Sequence, residues 1–136
     1  MSGVVVDSSA MVAILSGEPG QRWLSGELDS ASIRVISAPT ALELGIVVEA
    51  RAPEAVGMGH RALRDARIET VAFDSDLTER AMQAWRRYGK SRHPAALNFG
   101  DCCTYALAER SGYPILCVGN DFERTDLPVL SPPGQE

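Results

Sequence analysis

The chain has little cysteine, no long apolar run and no CxxC spacing. Its three cysteines include the neighbours Cys102 and Cys103, which do not readily bridge each other, so neither a disulfide framework nor a zinc site is indicated. No run of about 18 apolar residues and no charged-then-apolar leader occurs, so we expect a reduced cytoplasmic protein without a membrane span. His60 and His93 have no serine or acidic partner at a recognisable spacing, which leaves a hydrolytic triad unsupported.

Lysine is also scarce, and the net charge of −5 is unusual for a nucleic-acid-binding protein. Arginine supplies nearly all of the positive charge, and its planar fork binds phosphate oxygens well. The cations fall into two clusters, Arg61, Arg64 and Arg67, then Arg86, Arg87, Lys90 and Arg92. Such runs are equally typical of solvated helix faces, so the charge pattern alone does not decide the function.

The 136 residues suit one compact domain. Hydrophobic periodicity predicts strands at residues 3–7, 33–37, 68–73 and 113–118, with a short one near 127–130. It predicts helices at 8–15, 21–28, 39–51, 54–66, 75–88 and 98–110, the fifth with an inward stripe of Leu77, Ala81, Met82 and Trp85. Alternating strands and helices indicate an α/β three-layer sandwich, in which helices flank a twisted, mainly parallel central sheet.

Four acidic residues lie in otherwise apolar segments. They are Asp7 after VVV, Glu43 in ALELGIVV, Asp101 in FGDCCTYALA and Asp121 after ILCVGN. An unpaired buried carboxylate is costly, and no basic residue adjoins any of them. Asp7 and Asp121 both follow strands, at the sheet edge where parallel sheets bind ligands. If the four converge, their repulsion favours a cation, and an all-oxygen donor set favours Mg²⁺ or Mn²⁺ over zinc.

Each acid also has a purely structural explanation. Asp7 can cap the following helix, and Asn98 and Asp101 can form a capping box. Asp121 can belong to a turn, and Glu43 can reach solvent from one face of its helix. Capping does not explain Glu43, but the residues alone leave both interpretations open for the others.

In order, the segments VVVDSSA, TALELG, NFGDCCTYALA and LCVGNDFERTDL resemble the motifs of PIN-domain proteins, and closely those of the toxins of VapBC toxin–antitoxin pairs. The similarity extends over residues 4–130. It implies a single PIN domain over residues 1–130 with the PIN-like sandwich fold, and leaves 131–136 as a tail that we expect to be frayed. The activity it implies is metal-dependent endonucleolytic cleavage of RNA, often tRNA or ribosomal RNA, which leaves a 5′-phosphate and a 3′-hydroxyl.

The resemblance also implies roles for the four acids, since the family places acids at these positions around one or two Mg²⁺ or Mn²⁺ ions. We assign Asp7 and Asp101 as direct metal ligands. Glu43 is expected to bind the metal through water or to orient the attacking water, and Asp121 to hold a second, weaker ion.

Further residues have less definite predicted roles. Ser9 and Asn120 either support the carboxylates by hydrogen bonds or form local turns. The candidate phosphate contacts are Arg86, Arg87, Lys90, Arg92 and His93.

The resemblance implies two protein partners, a second copy of the chain and a small cognate antitoxin. The glycine-dotted segment 45–59 gives weak support for a homodimer. Either an antitoxin groove or the core accounts for Trp23, Leu24, Leu28, Val47 and Val48.

Two other functions remain possible on the residues. An aspartyl-phosphate phosphatase would use Asp7 as its nucleophile, but the second Asp of its motif is missing. A binding module that holds RNA or a protein without cutting would not need four intact acids.

Overall fold

A computed structural model describes residues 2–134 as a five-stranded sheet between two layers of helices. The strands are β1 (Gly3–Val6), β2 (Ile33–Ser37), β3 (Glu69–Val71), β4 (Ile115–Leu116) and β5 (Val129–Leu130). They lie in the order β3-β2-β1-β4-β5, and every pairing is parallel. The predicted parallel α/β sandwich is confirmed.

The helices are α1 (Ser8–Leu15), α2 (Gln21–Ser30), α3 (Ala38–Arg51), α4 (Met58–Asp65), α5 (Ser75–Tyr88) and α6 (Phe99–Ser111). The prediction that α4 begins at residue 54 is wrong. Gly57 precedes the helix with a φ of 75°, a left-handed conformation that favours glycine, so the helix starts at Met58. β3 and β4 are also shorter than predicted, because only three and two of their residues form ladder pairs.

The central strand β1 divides the core into two halves. Val5 packs into a cluster with α5 and α6, whereas Val4 and Val6 pack into a second cluster with α1 to α4. Successive side chains of a strand point to opposite faces, so an all-apolar strand buried on both sides is what this position requires.

The carboxyl edge of the sheet is where helices begin. Asp7, directly after β1, caps α1, and Ser37, the last residue of β2, caps α3. Helix N-termini carry unsatisfied amides and partial positive charge. This edge is therefore suited to holding carboxylates.

The predicted inward stripe of α5 differs in the structure. The buried side of α5 consists of Leu77, Ala84 and Tyr88, whereas Met82 and Trp85 of the predicted inward stripe are exposed. This difference leaves apolar surface on the outer side of α5.

The helix α2 contributes to the core rather than to an open groove. Leu24 and Leu28 are buried, and Trp23 is partly buried. In the part of the chain that the structure describes, no helix is long and apolar enough to traverse a bilayer.

The predicted C-terminal tail is described only up to Gly134, and residues 135–136 lie outside the described residues. Pro132 is buried, and its ring lies close against Gly20. This contact brings the chain just after β5 against the start of α2.

Candidate active site

Asp7 is a buried carboxylate that only neutral donors surround. Its Oδ2 accepts hydrogen bonds from the Ser9 amide at 3.1 Å and the Ser9 hydroxyl at 2.7 Å, and its Oδ1 accepts one from Thr104 Oγ1 at 2.8 Å. The Ser9 hydroxyl in turn accepts the Val118 amide, which ties Asp7 to the segment after β4. The predicted cap at Asp7 and the predicted support from Ser9 are both present.

Glu43 faces the same edge from α3. Its Oε1 accepts a hydrogen bond from Ser8 Oγ at 2.8 Å, next to Asp7 in the chain. A Cβ built on Gly100 would come within 2.7 Å of Glu43 Oε2, so only glycine lets this carboxylate lie against the first turn of α6. Glu43 is partly buried, and solvation of an outward-facing side chain does not explain it.

Asp101 combines a helix cap with a repulsive environment. Its Oδ2 accepts the Asn98 amide while Asn98 Oδ1 accepts the Asp101 amide, which forms the predicted capping box. Burial is the main cause that raises the pKa of Asp101 to about 7, and the negative charges of Asp7, Asp121 and Glu43 raise it further. The Asn98 hydrogen bond opposes this rise. Asp7, Glu43 and Asp121 therefore each lie within electrostatic reach of Asp101.

Asp121 is the most solvent-exposed of the four acids. It precedes a short 3₁₀ turn at Phe122–Arg124 and makes no side-chain capping bond to it. Its charge nevertheless acts on Asp101 and, with Asp7, on the buried Cys117. An exposed acid at the rim suits a weaker or more hydrated ligand position.

No cation compensates these carboxylates within residues 2–134. The ion pairs of this part of the chain all involve other acids, namely Glu18, Asp74, Asp76, Glu109 and Asp126. Carboxylates that repel one another and have no basic partner are stabilised when a cation joins them.

The donors suit a hard ion that keeps part of its hydration shell. Among residues 2–134, no three histidine, cysteine, aspartate or glutamate side chains converge into a ready-made metal cluster. Mg²⁺ needs no such cluster, because proteins usually hold it through one or two carboxylates and several waters. Oxygen-only donors of this kind fit Mg²⁺ or Mn²⁺.

Cysteine chemistry does not account for the site. Burial is the main cause that raises the pKa of Cys102 and of Cys103 to about 11, and it raises that of Cys117 further still. A thiol needs a lowered pKa to act as a nucleophile near neutral pH. These three thiols are therefore inert parts of the core.

A groove of about 800 Å³ runs beside the start of α6, between that helix and α5. Arg86 and Lys90 line it together with Asn98 and the 82%-exposed Phe99. In the described residues neither Arg86 nor Lys90 forms an ion pair, whereas Arg87 lies 3.9 Å from Asp126. Of the predicted phosphate contacts, Arg86 and Lys90 are thus the ones that face this groove.

The other two predicted contacts have local partners. The Arg92 guanidinium lies 4.6 Å from the ring centroid of Trp85. His93 Nδ1 accepts the Ala95 amide, and its ring lies edge-on against Tyr88. Both residues help to fix the loop that follows α5.

The fold and the site define an α/β protein with an acidic cluster at the carboxyl edge of a parallel sheet. The family model described as "PIN domain" matches residues 4–127. The chain belongs to the PIN-domain family, which confirms the predicted resemblance.

The curated relatives cover nearly the whole chain. It is 44% identical over 128 residues to "Ribonuclease VapC" of Mycolicibacterium smegmatis, covering 93% of this chain and 99% of that protein. It is 40% identical over 131 residues to "Ribonuclease VapC30" of Mycobacterium tuberculosis, covering 96% and 100%.

Solved structures share the fold at much lower identity. VapC20 of Mycobacterium tuberculosis, described as a sarcin–ricin-loop-cleaving toxin, matches with a TM-score of 0.70 at 18% identity, covering 93% of this chain and 98% of that one. VapBC2 of Rickettsia felis, bound to a promoter DNA fragment, matches with a TM-score of 0.72 at 15% identity, covering 95% and 98%. These likenesses confirm the fold.

Sequence reasoning missed the hydroxyls that hold the acids. Ser8 donates to Glu43, and Thr104 donates to Asp7 across a separation of 97 residues. A signal existed in part, because Thr104 lies three residues after Asp101 and therefore near it on one helix face. Asn120, which was predicted as a support, makes no side-chain hydrogen bond to the acids in the described residues.

Proposed function

We propose that this protein is a metal-dependent endoribonuclease and the toxin of a toxin–antitoxin pair. The observation that carries the proposal is the group of four carboxylates without a cation at the carboxyl edge of the sheet. Membership of the PIN-domain family and the identity of 40–44% to proteins named as VapC ribonucleases support the same activity.

The cofactor we propose is Mg²⁺ or Mn²⁺. Asp7 and Asp101 are the proposed direct ligands. In each carboxylate the capping hydrogen bonds fall on Oδ2, which leaves Oδ1 the better placed oxygen for an ion. A bound ion supplies the Lewis acidity that phosphodiester hydrolysis needs. Asp121, more exposed at the rim, is the proposed ligand of a second, weaker ion.

Glu43 is the residue we propose to orient the attacking water. Ser8 fixes one of its oxygens, and the absence of a side chain at Gly100 lets the carboxylate lie against α6. A carboxylate held in this way is able to accept a hydrogen bond from a water molecule. The hydrogen bond then directs the lone pair of that water at the phosphorus atom.

The groove between α5 and α6 is the proposed path of the RNA backbone. Arg86 and Lys90 supply positive charge on its wall, and its lining reaches the start of α6 at Asn98 and Phe99, close in the chain to Asp101. Phosphate contacts of this kind position a nucleic acid without reading its sequence. A tRNA or a ribosomal RNA is the substrate class that we propose.

The protein partners we propose are a second copy of the chain and a small antitoxin. Leu42 and Ile46 are 66% and 60% exposed on α3, beside Phe99, an apolar face that a homodimer would cover. Solved relatives include a Klebsiella pneumoniae toxin–antitoxin complex. The free buried cysteines suit the reducing cytoplasm, where we place the protein.

RNA cleavage under metal control tests the proposed function. The purified protein should cut total RNA in Mg²⁺ or Mn²⁺, leave 5′-phosphate and 3′-hydroxyl ends, and stop in EDTA. Asp7→Asn and Asp101→Asn should each abolish cleavage, because each removes a ligand charge. The matched control Asp76→Asn changes an exposed acid on α5 and should cut normally.

Cleavage that continues undiminished in EDTA would contradict the metal-dependent mechanism. Cleavage by Asp101→Asn at the rate of Asp76→Asn would remove Asp101 from the site. Release of inorganic phosphate from small phosphoesters without RNA cleavage would favour the phosphatase alternative instead.

A further inference from the structure

A line of buried hydroxyls connects the end of β2 to Asp7. Ser37 Oγ lies 2.7 Å from Thr40 Oγ1, which lies 3.2 Å from Thr104 Oγ1, which lies 2.8 Å from Asp7 Oδ1. The three hydroxyl residues are fully buried. The line therefore runs from the end of β2 through α3 and α6 to Asp7, and its three hydroxyls have no contact with solvent.

The chemistry of the end group fixes the direction of these bonds. A hydroxyl has one hydrogen to donate, and a carboxylate only accepts. Thr104 therefore donates to Asp7, so Thr40 must donate to Thr104 and Ser37 to Thr40. The Thr40 amide, 3.3 Å from Ser37 Oγ, donates to the first hydroxyl. All hydroxyl hydrogens of the line are thus directed toward Asp7.

The two oxygens of Asp7 are not equivalent. Each carboxylate oxygen has about two acceptor sites. The Ser9 amide and hydroxyl occupy both sites of Oδ2, whereas Thr104 occupies one site of Oδ1. An ion would therefore bind Oδ1, the same oxygen that the line of hydroxyls holds.

We propose that Thr104, supported by Thr40, is a positioning residue that holds Asp7 Oδ1 in the orientation needed to bind the metal ion. This inference rests on the proposed function, because it assigns Asp7 as a ligand. Thr104 does not touch the ion or the RNA and acts through the carboxylate. Hydrogen bonds of this kind to a metal ligand typically change metal affinity about 10–100-fold.

Titration of the full chain with Mn²⁺ alone, by calorimetry and without RNA, tests the inference. Thr104→Val keeps the shape and removes the hydrogen bond, so Mn²⁺ affinity should fall about 10-fold or more. Thr104→Ser keeps a hydroxyl and should bind nearly as well as the unaltered chain. Thr40→Val should have a smaller effect, because Thr104 keeps its hydrogen on Asp7.

Thr78→Val is the control for Mn²⁺ binding in the absence of RNA. The Thr78 hydroxyl donates to the carbonyl of Asp74, the residue that caps α5, outside the line of hydroxyls, so Mn²⁺ affinity should not change. In cleavage assays Thr104→Val should need more Mn²⁺ for half-maximal rate, and saturating Mn²⁺ should restore most of kcat. A loss of packing would instead lower kcat at every Mn²⁺ concentration.

Three results would overturn the inference. They are an unchanged affinity in Thr104→Val, an equally weak affinity in Thr104→Ser, and a larger effect of Thr40→Val than of Thr104→Val. If Thr104→Val does not fold, Thr40→Val still decides, because it should weaken Mn²⁺ binding measurably and an unchanged affinity would overturn the inference. Unchanged Mn²⁺ binding in Thr104→Val with intact RNA cleavage would leave the proposed function standing, whereas an unaltered chain that neither binds Mn²⁺ nor cuts RNA would remove both.

Discussion

Replacing Asp101 with asparagine should stabilise the metal-free protein at neutral and alkaline pH. Burial and the other three acids raise the pKa of Asp101 from 3.8 to about 7. Since one pKa unit corresponds to about 1.4 kcal/mol, ionising Asp101 in the folded protein costs up to about 4 kcal/mol. Asp101 is only partly buried, so solvent screening reduces the expected gain to about 2–3 kcal/mol.

The effect of Asp101→Asn on the free energy of unfolding depends on pH, and this dependence identifies the raised pKa of Asp101 as its cause. The folded protein binds the Asp101 proton more tightly than the unfolded chain does. That contribution to stability is full below pH 4, declines as pH rises, and is gone above pH 7. Asp101→Asn should therefore match the original chain near pH 4 and exceed it near pH 8. Its remaining side-chain oxygen is able to keep the capping bond from the Asn98 amide.

Urea unfolding followed by circular dichroism at pH 4 and pH 8, in EDTA, measures this difference. Asp74→Asn is the matched control, because Asp74 caps α5. The Leu77 amide and Arg110 lower the pKa of Asp74. Its contribution is present above the unfolded pKa and lost in acid, so this variant should be less stable at pH 8. An Asp101→Asn variant that is less stable at both pH values would show that capping outweighs repulsion and refute the reasoning.

Three further predictions concern surfaces and partners. Leu42→Glu with Ile46→Glu should convert a dimer into a monomer in light scattering, whereas the same change at exposed Val56 should not; a chain that is monomeric throughout would contradict the dimer. Lys90→Glu should raise the KM for RNA and leave kcat near its original value, whereas the control Arg61→Glu should change neither. Equal KM values for the two variants would show that the groove is not the path of the RNA. Expression of the chain alone should arrest growth, and co-expression of a small protein encoded beside it should relieve the arrest; normal growth without any co-purifying partner would remove the toxin role.

The sequence predicted the architecture well because apolar patterning determines it. The strand β1 consists of one glycine and three valines, all buried, and helical segments alternate with strands along the chain. Few arrangements other than a parallel sandwich satisfy both features. The boundaries that failed depend on single conformations, as at Gly57, or on ladder pairs at strand ends. The outer side of α5 was predicted as core because Met82 and Trp85 are apolar, and periodicity alone does not show which apolar face a neighbour covers.

The four acids could be singled out in the sequence as a candidate site because burial of charge conflicts with apolar surroundings. Their supports were not, since Thr104 and Thr40 meet Asp7 only after α3 and α6 pack beside β1. The role of each acid in binding metal remains a prediction.

Asp7 should respond to asparagine differently from Asp101, although both lie at helix N-termini and both are proposed ligands. At Asp101 one donor faces the carboxylate, so an amide is tolerated and repulsion is relieved. At Asp7 three donors converge on two buried oxygens, and Asp7→Asn would point an NH₂ group at the Ser9 or the Thr104 hydroxyl. A mismatch of donors in a buried network costs about 1–3 kcal/mol. Asp7→Asn should therefore lose cleavage, and at pH 8 it should also unfold at a lower urea concentration than Asp101→Asn. Equal unfolding midpoints of the two variants would show that the hydrogen bonds to Asp7, including the one from the line of hydroxyls, do not stabilise the fold.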